Sequence, residues 1–127
     1  MKTKQKGVNI KKSSRWRSPW SGRSGAWATW VKNLDGKSGV YIIRESRSHL
    51  VLYVGQSHTG RLKKTMIRHF QQWRGVTSGV TYRRGSVEVK IILAPRRRAL
   101  IHKIEQNCLF KLKPRDNETG SLDEVPF

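Results

Sequence analysis

Two neighbouring short apolar runs, 39–43 ("GVYII") and 50–55 ("LVLYVG"), read as strands, and polar and apolar residues alternate along 87–93 ("VEVKIIL") with the period-two pattern of a half-buried strand. The polar stretch "RESRSH" between the first two reads as a hairpin connection. Strand side chains point alternately to opposite faces, so Val40 and Ile42 share one face and Leu50, Leu52 and Val54 another, with Tyr41 and Tyr53 on the reverse sides. If the aliphatic rows cover the same core, the two phenols stand together on the opposite surface. Gly39 and Gly55, at the strand ends, permit a second backbone or a phosphate to approach closely.

A helical period takes over at 61–73, where Leu62, Met66, Phe70 and Trp73 recur on one stripe and Ser57 or Thr59 stands as N-cap. On that helix Arg68 and His69 fall beside the stripe, and the backbone N–H groups at Gly60 and Arg61 are suited to a phosphate. The segment "GVTSGVTYRRGS" is loop-like. Pro95 suits the first turn of a second long helix that runs to about Lys113, where Pro114 stops it. Its stripe is Ile101, Ile104, Cys108 and Leu112, with Glu105 among them. A carboxylate on the edge of an apolar face is costly unless it is paired or binds a metal; the ordinary explanation is a salt bridge to one of the many arginines. The order strand, strand, helix, strand, helix predicts a small α/β (α+β) domain, a three-stranded antiparallel sheet flanked by helices, and there are no internal repeats.

Charge changes the picture most. Of 127 residues, 27 are Lys or Arg and 8 are Asp or Glu, a formal net charge of +19. That lies far beyond what solubility requires and points to a polyanionic partner. Half of the acids (Asp116, Glu118, Asp123, Glu124) fall near the C-terminus, so the body is more basic than the mean. No apolar run approaches a spanning length and no signal-peptide pattern opens the chain, so nucleic acid is favoured over a membrane. The single Cys108 forms no internal disulfide and no Cys/His cluster has zinc spacing, as expected in a reducing, cytoplasmic setting. Cys108 itself reads as a small core residue.

Residues 1–25 are rich in Lys, Arg, Ser and Gly and read as a basic arm. Its Trp16 and Trp20 are placed to stack on unpaired bases, whereas Trp27 and Trp30 read as packed on a helical turn. The domain then occupies 26–117, and 118–127 forms an acidic tail. Arg15 and Arg17 of the arm, Lys63 and Lys64 of the first helix, and Arg96, Arg97 and Arg98 at the start of the last are the cations expected to grip a nucleic-acid backbone.

Taken together, "GVY" (Gly39, Val40, Tyr41) and "YVG" (Tyr53, Val54, Gly55), followed by "RLKKTMIRHF" and "IEQNCLFKLKPRDN", resemble the GIY-YIG nuclease family over about two thirds of the chain. The resemblance implies a metal-dependent DNA endonuclease with one divalent ion, magnesium or manganese, held by Glu105. It implies that Tyr41 activates or positions the attacking water, that Tyr53 and His69 assist, that an arginine stabilises the phosphate, and that Asn117 supports the metal shell or the turn after the helix. Arg61 is chosen as that arginine because it is nearest the helix N-terminus; Arg68 is the alternate, since the place where most members carry the arginine is held here by Thr65. The substrate, whether duplex, single-stranded or branched DNA, is left open, as is the choice between monomer and homodimer.

Two rival readings remain. Glu88 and Lys90 in "SVEVK" form half of an E-x-K nuclease motif, but the only upstream aspartate, Asp35, sits in a turn. A non-catalytic basic nucleic-acid-binding protein would explain the charge through counterion release and leave Glu105 and the matched tyrosines unexplained.

Overall fold

The computed structural model describes residues 14–22, 26–70 and 82–117. Three strands, β1 (Gly39–Glu45), β2 (Val51–Ser57) and β3 (Val87–Leu93), form one antiparallel sheet in the order β2-β1-β3. Among the described residues three α-helices accompany it: the single turn α1 (Thr29–Lys32), α2 (Leu62–Ile67) and α3 (Arg98–Leu112). The strand and helix order read from the sequence is therefore present, with α1 added ahead of it.

β1 is central and buried on both sides. Tyr41 and Ile43 enter one core with Val31, Leu34, Leu62, Met66, Val89 and Ile91; Val40 and Ile42 enter a second with Val54 and Ile101. The expectation of phenols standing on an open surface is thus corrected: α1 and α2 cover the tyrosine face, α3 covers the other, and Tyr41 is only 1% exposed. A strand clothed on both faces reads as a continuous apolar run, and "GVYII" is one.

The β1–β2 register slips between Ile43, opposite Tyr53, and Arg44, opposite Val51. The extra residue is Leu52, which the bulge turns into the tyrosine-side core beside Tyr53 while Val54 faces α3. Strict alternation had placed Leu52 with Val54. Leu50 lies outside the strand and is exposed.

Both helices differ from their sequence limits. α2 starts at Leu62 and tightens into a 3₁₀ turn at Arg68–Phe70, so α-helical angles do not carry past Ile67; Trp73 lies outside the described residues. α3 begins at Arg98, three residues beyond Pro95, and ends at Leu112, where Lys113 turns left-handed (φ 47°) ahead of the buried Pro114. Leu109 takes the packing place assigned to Leu112, which is exposed.

Part of the expected arm belongs to the fold. Residues 14–17 run along the free edge of β3, where Ser14 N–H donates to Ile91 O (2.8 Å), Arg17 N–H to Val89 O (3.1 Å) and Val89 N–H to Arg17 O (2.8 Å). This blunts an edge strand that would otherwise offer unpaired backbone groups. Trp16 packs on the α3-side core with the Arg44 guanidinium 4.0 Å and the Lys90 ammonium 4.9 Å from its ring centroid. Its ring is therefore engaged by the domain and not free for bases. Residues 1–13 and the 118–127 tail lie outside the described residues.

Candidate active site

The face of the sheet under α2 brings the chemistry together. Tyr41 stands opposite Gly55 on β2, and its ring lies over that glycine so closely that a Cβ there would overlap the phenol. Gly39 is needed for a similar reason, since its φ of 149° and the Ile92 carbonyl leave no room for a side chain. The neighbours that these two glycines admit are therefore a tyrosine ring and a strand backbone.

From this bed Tyr41 reaches His69 in the 3₁₀ turn, with Oη and Nε2 2.9 Å apart. Tyr53 stacks beside Tyr41 (centroids 6.2 Å, 25°) and lies 4.4 Å from the His69 ring. The third tyrosine of the chain, Tyr82, closes the cage at 5.9 Å from His69. It donates from Oη to Asp116 Oδ2 (2.6 Å), and Asp116, 7% exposed, also accepts from Arg115 Nε (2.8 Å) and Nη2 (3.1 Å).

Burial pushes the Tyr41 phenol well above its ordinary pKa, with Tyr53, Glu105 and Tyr82 adding to the rise and Arg68 opposing it. Burial also raises Tyr82, helped by its bond to Asp116. At Asp116 burial works upward, but the bonds from Arg115 and Tyr82, then the charges of Arg115 and His69, bring the carboxyl below its ordinary range. Tyr41 is thus protonated at neutral pH, and it donates to Nε2 in the His69 tautomer that carries its proton on Nδ1.

Of the expected site residues, the structure gathers Tyr41, Tyr53 and His69 directly and sets Arg68 and Glu105 within electrostatic reach of Tyr41. Arg61 is an exposed residue at the N-cap of α2, and it is Arg68 whose charge acts on the phenol. The Gly60 and Arg61 N–H groups assigned to a phosphate are already used, by Ser38 Oγ (2.8 Å) and Ser57 Oγ (3.0 Å). Both serines are buried, so this turn is an internal clamp. Asn117 accepts from Val54 N–H (2.8 Å) and donates to Val54 O (3.1 Å), pinning the chain after α3 to β2.

Tyr82 and Asp116 escaped the sequence reading. The count of three tyrosines was the one available signal for Tyr82; Asp116 was counted only among the acids that gather near the C-terminus.

Glu105 has a side chain 18% exposed, with His102 Nδ1 3.9 Å from its Oε1. Among the described residues no group of three or more His, Cys, Asp or Glu is placed to hold a metal. The donor set, one carboxylate with water and phosphate oxygens left to complete the shell, fits a hard ion such as Mg²⁺, which keeps several waters.

The cations divide. Arg17 lies over Trp30 (4.6 Å) and its Nε is buried, so it serves the fold. Arg15, Lys64, Arg97 and Arg98 are exposed, Lys63 is half-buried, and Arg96, though exposed, lays its guanidinium over Gly60. Gly39 pairs with both Ser57 and Leu93, so the loops after β2 and β3 meet at one end of the sheet. Arg61 and Arg96–Arg98 form a basic rim there. The E-x-K pair is spoken for: Glu88 binds Arg44 Nε (2.9 Å) and Lys90 covers Trp16.

Compared with protein-family models, characterised proteins and solved structures, the chain matches none. Among the described residues no helix is long and apolar enough to cross a membrane.

Proposed function

We propose that this chain is a metal-dependent DNA endonuclease of the GIY-YIG type. The observation that carries the reading is the buried Tyr41 phenol bonded to His69 Nε2 at 2.9 Å, with Arg68 and Glu105 acting on the same group from either side of its charge balance.

Tyr41 passes its proton to Nε2 and takes one from the attacking water, whose oxygen bonds to phosphorus as the P–O3′ bond breaks. The 5′ phosphate stays on one product. Tyr53 walls the imidazole and keeps it directed at Tyr41. Arg68 opposes the rise in the Tyr41 pKa and stabilises the phosphate as negative charge grows on it. Glu105 would hold the divalent ion, which when bound would supply polarisation of the phosphoryl oxygen and stabilisation of the leaving oxygen. The basic rim and Arg15 grip the DNA backbone through charge, so binding weakens steeply with salt.

Cleavage of supercoiled plasmid and of labelled single-stranded DNA, with Mg²⁺, Mn²⁺ or chelator, tests this. The expected result is metal-dependent cutting that Glu105→Ala reduces at least about 100-fold at matched DNA affinity. Tight binding with no cutting of either substrate would replace this reading with that of a non-catalytic nucleic-acid-binding protein.

A further inference from the structure

His69 is enclosed by Tyr41 from β1, Tyr53 from β2 and Tyr82 from the segment before β3, and Asp116, after α3, accepts from that Tyr82 and feels the His69 charge. Phenols are neutral at physiological pH. Among the described residues Asp116 is the carboxylate whose charge is coupled to His69; Arg68 adjoins His69 in the chain, and Glu105 acts on the cage through Tyr41.

Asp116 is also firmly placed. Its N–H donates to Leu52 O (2.8 Å), its Oδ2 accepts from Tyr82 Oη (2.6 Å), and Tyr82 N–H in turn donates to His69 O (2.6 Å). The carboxylate and the histidine are thus tied to the same tyrosine. Arg115 neutralises Asp116 only in part, because the arginine side chain is 53% exposed and screened by water while that of Asp116 is 9% exposed.

We propose that Asp116 is a positioning residue for His69: its carboxylate, locked by Tyr82 and Arg115, keeps the imidazole ready for the Tyr41 proton and balances the positive charge His69 then carries. The O–H bond of Tyr41 breaks and an N–H bond forms at Nε2. Tyr41 regains a proton from the attacking water, and the 3′ oxygen, leaving with its bonding pair, is protonated by solvent. The arrangement follows the logic of a buried carboxylate that supports a histidine base without itself taking the proton. Its catalytic consequence rests on the nuclease reading; its electrostatic content does not.

Titration of His69 by NMR on the full chain, without DNA, is the direct test. Asp116→Asn should lower the midpoint by about one pH unit, a tenfold loss of proton affinity. It should also cut kcat about tenfold with KM changed less than about twofold. An unchanged midpoint in folded Asp116→Asn overturns the proposal. Should that variant fail to fold, Tyr82→Phe decides: loss of the phenol donor leaves the carboxylate less compensated, so the His69 midpoint rises, and a midpoint unchanged or lowered overturns it. A protein that cuts no DNA sinks the nuclease reading and leaves the titration result standing.

Discussion

Gly55→Ala adds one methyl group where Tyr41 already lies. The new Cβ would overlap Cζ and Oη and sit 2.8 Å from Cε2 of that ring. Neither partner yields easily: the glycine belongs to β2, and the ring is fully buried, stacked with Tyr53 and bonded to His69. Overpacking of this kind costs about 1–3 kcal/mol. Breaking the Tyr41–His69 bond adds about 1 kcal/mol, and the reduced freedom of the unfolded chain returns about 0.4–1 kcal/mol. The net loss is about 2 kcal/mol, a fall in Tm of about 10 °C for a domain of this size, read by circular dichroism. Cleavage should fall about 100-fold, because a displacement near 1 Å in a reacting group has that consequence. Gly36→Ala is the control: its φ of 78° makes alanine strained, but nothing lies within 4 Å, so stability drops by about 1–2 kcal/mol with cutting unchanged. Gly55→Ala melting within about 2 °C of wild type would refute this account of why a glycine faces Tyr41.

Trp16→Ala removes the ring that Arg44 and Lys90 cover and should loosen the N-terminal segment from β3. Amide exchange at Val89 and Ile91, which donate to Arg17 O and Ser14 Oγ, should then rise about tenfold; unchanged protection would deny Trp16 its anchoring role. Asp116 also gives stability a pH dependence. Its folded pKa lies below the unfolded value, so its contribution is complete above pH of about 4 and is lost as pH falls through the folded pKa. Urea midpoints measured from pH 5 down to 2 should decline more steeply in wild type than in Asp116→Asn, and parallel curves would contradict the assignment.

Where local pattern dictates structure, the sequence was a good guide. β3 occupies 87–93 as its alternation requires, and Tyr41 and Tyr53 do share a face. Alternation says which residues share a side but not what covers it, so the tyrosine face looked open until α1 and α2 were seen to close it. The slip at Leu52 is invisible for a related reason: a bulge is one residue of register, set by pairing with Arg44 and not by the composition of either strand. Arg61 looked nearer to the chemistry than Arg68 because it stands at the helix N-terminus, where a phosphate was expected, whereas Ser38 and Ser57 take the N–H groups there and Arg68 is the arginine whose charge acts on Tyr41.

The other half of the cage is encoded in neither period nor motif. Tyr82 is held by its own N–H on the His69 carbonyl at 2.6 Å. Asp116 likewise reaches β2 through main-chain bonds beyond the end of α3. Each is fixed by main-chain bonds, Tyr82 to His69 and Asp116 to Leu52, and such bonds leave no mark in the spacing of side chains. The half legible in sequence supplies the phenol and the imidazole; the half that tertiary closure supplies is the carboxylate that lets the imidazole carry charge.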